Sequence, residues 1–371
     1  MRAWFLLAAL VSAGLLNGAA AAQAPPSVDD RAIMAGEPPQ LLSAYHFFRD
    51  ASAREANAGL TPYELNTALY SDGALKYRYV YMPPHTQAHY RDTGVFDFPV
   101  GTVLIKTFAF AAHMAAPRDR VRFLETRLLI HRSEGWVALA YVWNPEQTEA
   151  RLSPIGANVP IAFTDSDGQS VQFDWAVPNR NQCKGCHDVG GAVQPIGPTA
   201  RNFNRASDLL GAAAAPEGAP TPSNQLDAWT SLGLLAGAPE GSEAPHFANA
   251  YDQASGTLDE RARAYLHVNC AHCHNPQGPA HTSGLDLRYD DTTPVQWGVL
   301  KRPVAAGRGS SNLDFDIYPG HPDQSILIYR MASTDPGEMM PELGRQRIDQ
   351  GAVALMRQWI ASMSAPTAPP R

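Results

Sequence analysis

From about Leu75 to Val177, apolar residues alternate with polar or small ones. Val121 and Phe123 flank Arg122; Val137, Leu139, Tyr141 and Trp143 are interleaved with Ala138 and Ala140; Val171, Phe173, Trp175 and Val177 are interleaved with Gln172 and Asp174. A period of two places one set of side chains on a buried sheet face, so this stretch predicts β-strands. The turn-forming runs Arg132-Ser133-Glu134-Gly135 and Asp165-Ser166-Asp167-Gly168 suit tight hairpins, hence an antiparallel sheet or sandwich. Further along, the period becomes helical. Thr257-Leu258-Asp259-Glu260 is a capping box, and Leu258, Ala262, Tyr265, Leu266 and Asn269 recur at helical spacing behind it. Val353, Met356, Trp359, Ile360 and Met363 form one apolar stripe, predicting a closing helix that packs across the earlier one. A short helix is expected at 224–235 between Pro/Gly/Ala-rich linkers at 211–222 and 236–245. Residues 25–60 are Pro/Ala-rich, then mildly helical, and carry no chemical constellation.

Composition narrows the class. A chain of 371 residues, 44% hydrophobic, suits two or three domains, and 29 Gly with 31 Pro make it rich in loops. Against 36 acidic residues stand 29 Lys and Arg, giving a net charge of -7 with no basic run, so the footprint of a nucleic-acid binder is missing. Arg2, the apolar stretch Ala3 to Leu16 and Ala20-Ala21-Ala22 read as a secretory signal cleaved near Ala22. That apolar stretch is shorter than the roughly 20 residues a membrane span needs, and no cysteine near it offers a lipid anchor. A periplasmic chain without stable membrane insertion is therefore expected.

Four cysteines in an exported protein ordinarily suggest two disulfides, but their setting here points elsewhere. Every one lies in a CxxCH pentapeptide: Cys183-Lys184-Gly185-Cys186-His187 and Cys270-Ala271-His272-Cys273-His274. This is the pattern of c-type haem attachment. Two cysteines three apart on a helical turn project from one face and can reach both vinyl groups of a porphyrin, and the following histidine supplies an axial iron ligand. Cys183, Cys186, Cys270 and Cys273 are thus the expected attachment points of two haems c, with His187 and His274 on the irons. A zinc site built from the two CxxC pairs is the alternative, but 83 residues separate Cys186 from Cys270 and zinc would not require a histidine after each pair. The second motif follows the helix predicted from Thr257. The first follows a strand directly, so its haem is expected to lie against the β domain.

Met340 stands 66 residues after His274, in Met339-Met340-Pro341, and is the expected thioether ligand on the opposite face of the second haem. Met339 is the alternative, with Met331 in reserve; core filling is the competing role for each. The first haem's sixth ligand stays unassigned among His85, His89, His113, His131, His246, His267, His281 and His321. His272 is expected to face away from the iron, and Arg288, Arg302 and Arg308 are candidates for pairing with haem propionates.

The runs Asn179 to His187, Asn269 to Gly278, Ala305-Ala306-Gly307-Arg308-Gly309 and Met339 to Arg345 together resemble a family of exported bacterial dihaem c-type cytochromes. The C-terminal part is also similar to the broad cytochrome c superfamily. The resemblance implies covalent haem binding and electron transfer in the periplasm between a redox protein donor and a redox protein acceptor. The expected organisation is α+β and multidomain: a signal at 1–22, a region with an antiparallel β domain at 23–177, a first haem segment at 178–250, a cytochrome c-like domain with the second haem at 251–364, and a disordered tail at 365–371. Mainly α-helical cytochrome c-like haem domains are expected after the β domain. Two enzyme-linked readings compete with simple electron transfer: a dihaem peroxidase, should the first iron keep an open position, and the electron-accepting module of a dehydrogenase. The chain has no Gly-rich dinucleotide fingerprint of its own.

Overall fold

The computed structural model describes residues 27–50, 52–210, 223–291, 293–304 and 307–364. The expected signal with its cleavage point near Ala22, the 211–222 linker and the 365–371 tail lie outside the described residues.

Strand β1 (Leu60–Pro62) precedes the alternating stretch, which folds into β2 (Leu75–Tyr81), β3 (Ala88–His89), β4 (Val103–Ala111), β5 (Val121–Arg132), β6 (Gly135–Trp143), β7 (Ala150–Leu152), β8 (Ala157–Thr164) and β9 (Ser170–Val177). Six of them form one antiparallel sheet in the order β1-β2-β4-β5-β6-β7. β8 and β9 form a separate hairpin. The two turn signals fall where Arg132 pairs with Gly135 and where Thr164 pairs with Ser170.

Side chains alternate across the sheet, so each strand feeds two different cores. On one face Tyr81, Val103, Ile105, Leu128, Ile130, Leu139, Tyr141 and Trp143 pack against Val28, Ile33, Leu42, Tyr45 and Phe47. The N-terminal segment, including the short helix α1 (Asp30–Met34), therefore covers this face. The other face carries two apolar clusters. Phe108, Phe110, Leu124 and Ala140 pack on the β8–β9 hairpin. Val80, Met82 and Leu104 pack on Phe203 and Trp229, which lie on helices α3 (Ala200–Phe203) and α4 (Gln225–Ser231). Between β9 and α3 sits helix α2 (Arg180–His187).

The C-terminal part corrects the expected fold class. The chain is β-rich, and its second half is not a set of mainly α-helical cytochrome domains. Beyond residue 250 the described helices are α5 (Leu258–Asn269), α6 (Ile326–Met331) and α7 (Gln350–Ser362), with a few single 3-10 turns. The physical reason is the recurrence of Pro and Gly between 275 and 349, which removes backbone donors and leaves no uninterrupted run of helical period. Among the described residues, the two stretches with unbroken amphipathic patterns make the helices of three turns or more. α5 begins at the Thr257/Glu260 capping box, and α7 begins at Asp349, whose side chain accepts from Ala352 N–H. Their contact buries Ala262, Tyr265, Leu266, Val353, Met356, Trp359 and Ile360 in one cluster.

Trp359 is 2% exposed and its Nε1 donates to Asp259 Oδ1 at 2.7 Å, tying α7 to the first turn of α5. Trp359→Ala is expected to cost about 3–5 kcal/mol in chemical denaturation, while Trp359→Phe, which keeps most of the apolar contact, costs markedly less. Equal losses for the two variants would place the anchor in the hydrogen bond instead.

His267 on α5 accepts from Tyr289 N–H at 3.0 Å through Nδ1, and burial pushes its imidazole down to about 4. The unfolded chain takes up that proton near pH 6.5 and the folded chain only near pH 4, so acid favours unfolding. Stability should fall as pH drops through that window. His267→Gln should flatten the fall in denaturant titrations, and an unchanged slope would show that other groups cause it.

Candidate haem-attachment site

The first motif is built into α2. Asn179 caps this helix by accepting from Gln182 N–H, and the Gln182 side chain accepts in return from Asn179 N–H at 2.9 Å. The strand-to-motif connection is thus a helix start, not a bare loop. Cys183, Cys186 and His187 follow within two turns, Cys183 being buried. Cys183 adjoins Ala138 and Ala140 of β6, with Pro178 and Arg180 completing a narrow cleft. The first motif therefore lies against the second face of the sheet.

The second motif starts where α5 ends. Cys270 is the C-cap, its N–H bonded to Leu266 O, and Cys273 and His274 N–H both point at Cys270 O, at 3.1 and 2.9 Å. The turn is held from both sides. Asn269 accepts from Tyr70 N–H at 2.7 Å, and Asn275 donates to Ala271 O at 2.7 Å and accepts from Gln277 N–H at 2.8 Å. Gly278 lies directly over the Cys273 carbonyl, where any side chain would collide with backbone.

The two pentapeptides meet. Cys273 Sγ lies 3.8 Å from Gly185 O, and the Cys186 thiol is near enough to Cys273 and to the His272 imidazole for each to act on its ionisation. The proximity of the two thiols favours the ionised form of Cys186 and pushes Cys273 up, with burial adding to the rise. Burial alone lifts Cys270 to about 12. All four cysteines are free thiols.

Both following histidines have one ring nitrogen committed. His187 Nδ1 lies 2.7 Å from Gln194 O, a carbonyl that can only accept, so the proton sits on Nδ1. His274 Nδ1 lies 2.9 Å from Ser283 Oγ, whose own hydroxyl is spent on Ala280 O at 2.7 Å. Each imidazole therefore carries its lone pair on Nε2. Burial pushes both down to about 4, keeping them neutral at pH 7. A metal-binding histidine is typically oriented in this way, through the ring N–H it does not use.

The Met-Pro segment is also fixed. Met340 N–H donates to Arg330 O at 3.0 Å, and the buried Arg345 donates to Met340 O from Nε at 3.1 Å and from Nη2 at 2.8 Å. Leu343 lies next to Gly185 of the first motif. Met339 is buried, Met340 half-buried, and Met331 belongs to the α5–α7 core.

Other expectations fare differently. Arg288, Arg302 and Arg308 are paired with Asp286, Asp314 and Asp335. His131 is stacked on Trp136, and His281 Nδ1 is bonded to Gly278 O at 3.0 Å. His272, expected to face away from the iron that follows it, lies against the first motif, and its Nδ1 is buried without a partner among the described residues. A cleft of about 430 Å3 lined by Ser311, Leu313, Asp323, Tyr329 and Arg357 contains no motif residue.

Among the described residues no three His, Cys, Asp or Glu side chains gather as a metal-binding group. The donor set does fit haem c. A porphyrin supplies four nitrogens itself and asks the chain for two thiols on one turn and an oriented imidazole, which each motif provides. Comparison with protein-family models, curated proteins and solved structures finds no match.

The meeting of the motifs has a consequence in haem-free protein. Mild oxidation is expected to join Cys186 to Cys273 ahead of the pairs within each CxxC, read by peptide mapping. Recovery of Cys183–Cys186 and Cys270–Cys273 pairs instead would contradict the observed contact.

Proposed function

We propose that this chain is a periplasmic dihaem c-type cytochrome, akin to the exported bacterial family its motifs resemble, that passes single electrons between a protein donor and a protein acceptor. The observation that carries this reading is the pair of adjoining CxxCH turns, each with its histidine held through Nδ1 and its Nε2 free. Cys183 and Cys186 would hold one haem with His187 as axial ligand; Cys270 and Cys273 would hold the other with His274. Haem c supplies a one-electron Fe(III)/Fe(II) couple when bound.

The protein's own residues orient and insulate that couple. Gln194 O and Ser283 Oγ fix the imidazoles, and burial keeps them neutral. Arg345 and Arg330 O hold the backbone of Met340, which would supply a thioether ligand to the iron of the second haem, with Met339 as the alternative. Contact between Cys186 and Cys273 brings the two attachment turns together, which favours exchange of electrons inside the molecule. The net charge of -7 favours a basic patch on the partner.

Spectroelectrochemistry of the haem-loaded protein should resolve two one-electron waves. Met340→Ala should shift one wave to lower potential and make that haem high-spin, leaving the other wave in place. A wild-type protein with a high-spin haem that turns over hydrogen peroxide would overturn electron carriage in favour of a peroxidase.

A further inference from the structure

The second face of the sheet holds a row of cations. Leu75, Tyr77 and Tyr79 of β2 pack with the first-face core, so Lys76 and Arg78 point to the opposite side. In register across the strands, Arg78 pairs with Lys106, Lys106 with Arg127, and Arg127 with Ala140. Three cationic side chains thus stand side by side, with Lys76 one step along β2. Like charges directly opposite each other destabilise a sheet.

The carboxylates near the row have other partners: Asp72 and Asp349, which act on Lys76, accept from Gln346, Arg347 and Ala352 N–H. Glu125 is fully buried and bonds Arg127 through both oxygens, at 2.6 and 3.0 Å, and also accepts from Trp175 Nε1. Glu64, the carboxylate acting on Arg78, is ion-paired with Arg205 at 3.6 Å. Lys76 donates to Ala74 O at 3.2 Å. Neither the Arg78 guanidinium nor the Lys106 ammonium has a hydrogen-bond or ion-pair partner among the described residues. Lys106 only overlies the Phe108 ring, at 4.7 Å. Burial and the neighbouring cations hold the Lys106 ammonium well below its ordinary range.

This row has a direction. Its β6 end, Ala140, lines the same narrow cleft as Cys183. Arg127 acts electrostatically on Cys183 and Cys186, and Lys106 acts on His187. Adjacent strands are ~4.8 Å apart, so Arg78 stands roughly 10 Å beyond Arg127, away from the thiols. In haem c the two carboxylates lie on the edge opposite the thioethers.

We propose that Arg78 and Lys106, flanked by Lys76 and Arg127, form the receptor for the carboxylates of the haem attached at Cys183 and Cys186. They are positioning residues, and the assignment rests on the haem reading above. It replaces Arg288, Arg302 and Arg308, whose charges are already matched by aspartates.

The test uses full-length haem-loaded protein with Arg78→Gln, Lys106→Gln and Lys106→Arg. Haem content is read by mass and both potentials by spectroelectrochemistry, the second haem's wave being the one that Met340→Ala moves. Both Gln variants should carry two haems and shift only the first haem's potential to lower values, because a nearby cation favours the added electron; Lys106→Arg should restore it. Unchanged potentials in fully loaded variants would overturn the proposal while leaving the haem reading intact. Absence of haem from the wild type would overturn both. Inorganic phosphate titrated into the wild type should leave the first potential unmoved; a saturable shift, lost in Lys106→Gln, would mean that the row serves a free anion and would overturn the carboxylate assignment.

Discussion

Two Cys-rich turns, separated by 83 residues of chain, come into contact through Cys186, Cys273 and the Gly185 carbonyl, and the rest of the fold is arranged to hold them there. The first turn is fixed by the sheet, because α2 packs beside β6 and Cys183 shares a narrow cleft with Ala138 and Ala140. The second is fixed by the α5–α7 pair, whose apolar interface sets where α5 ends. Tyr70 N–H bonded to Asn269, and Asp72 accepting from Gln346 and Arg347 N–H, tie the loop before β2 to both ends of the C-terminal unit. The sheet and the C-terminal helices are thereby joined through backbone hydrogen bonds made to buried side chains.

Charge organisation follows the same geometry. One sheet face is largely apolar, interrupted by the hydrogen-bonded Thr107–Thr126 pair, and is covered by the N-terminal segment. The other is apolar at both ends and cationic in the middle, beside the first motif. An array of that kind is costly to a sheet unless something anionic shares it, and Glu125 forms its ion pair with Arg127. By contrast, the exposed arginines of the C-terminal loops are each matched by a nearby aspartate, and such pairs contribute little to stability.

How much of this was legible in the sequence depended on how local the determining contacts were. Alternation along β4 to β9, the two hairpin turns, the Thr257 capping box and the stripe from Val353 to Met363 are local, and each could be read directly. The capping box of α2 was equally local: Asn179 and Gln182 have the required spacing, but adjacency to a strand hid it. The expectation of helical haem domains failed because a motif and two helices were extended across a Pro- and Gly-punctuated stretch whose structure comes from turns. The role of Arg345 in fixing Met340 and the alignment of Arg78, Lys106 and Arg127 depend on loop closure and strand register, which single residues along a chain do not display. The cover formed by Val28, Ile33, Tyr45 and Phe47 was invisible for the same reason, since its partner face lies tens of residues away.

Central to the account is that the four thiols exist to hold two porphyrins. Mass spectrometry of protein exported in a host with a haem-ligation system measures this most directly. The account predicts a mature chain heavier by two haems, with haem-bearing peptides spanning Cys183–His187 and Cys270–His274. A mass equal to the bare polypeptide, with both peptides recovered as free thiols or disulfides, would contradict it.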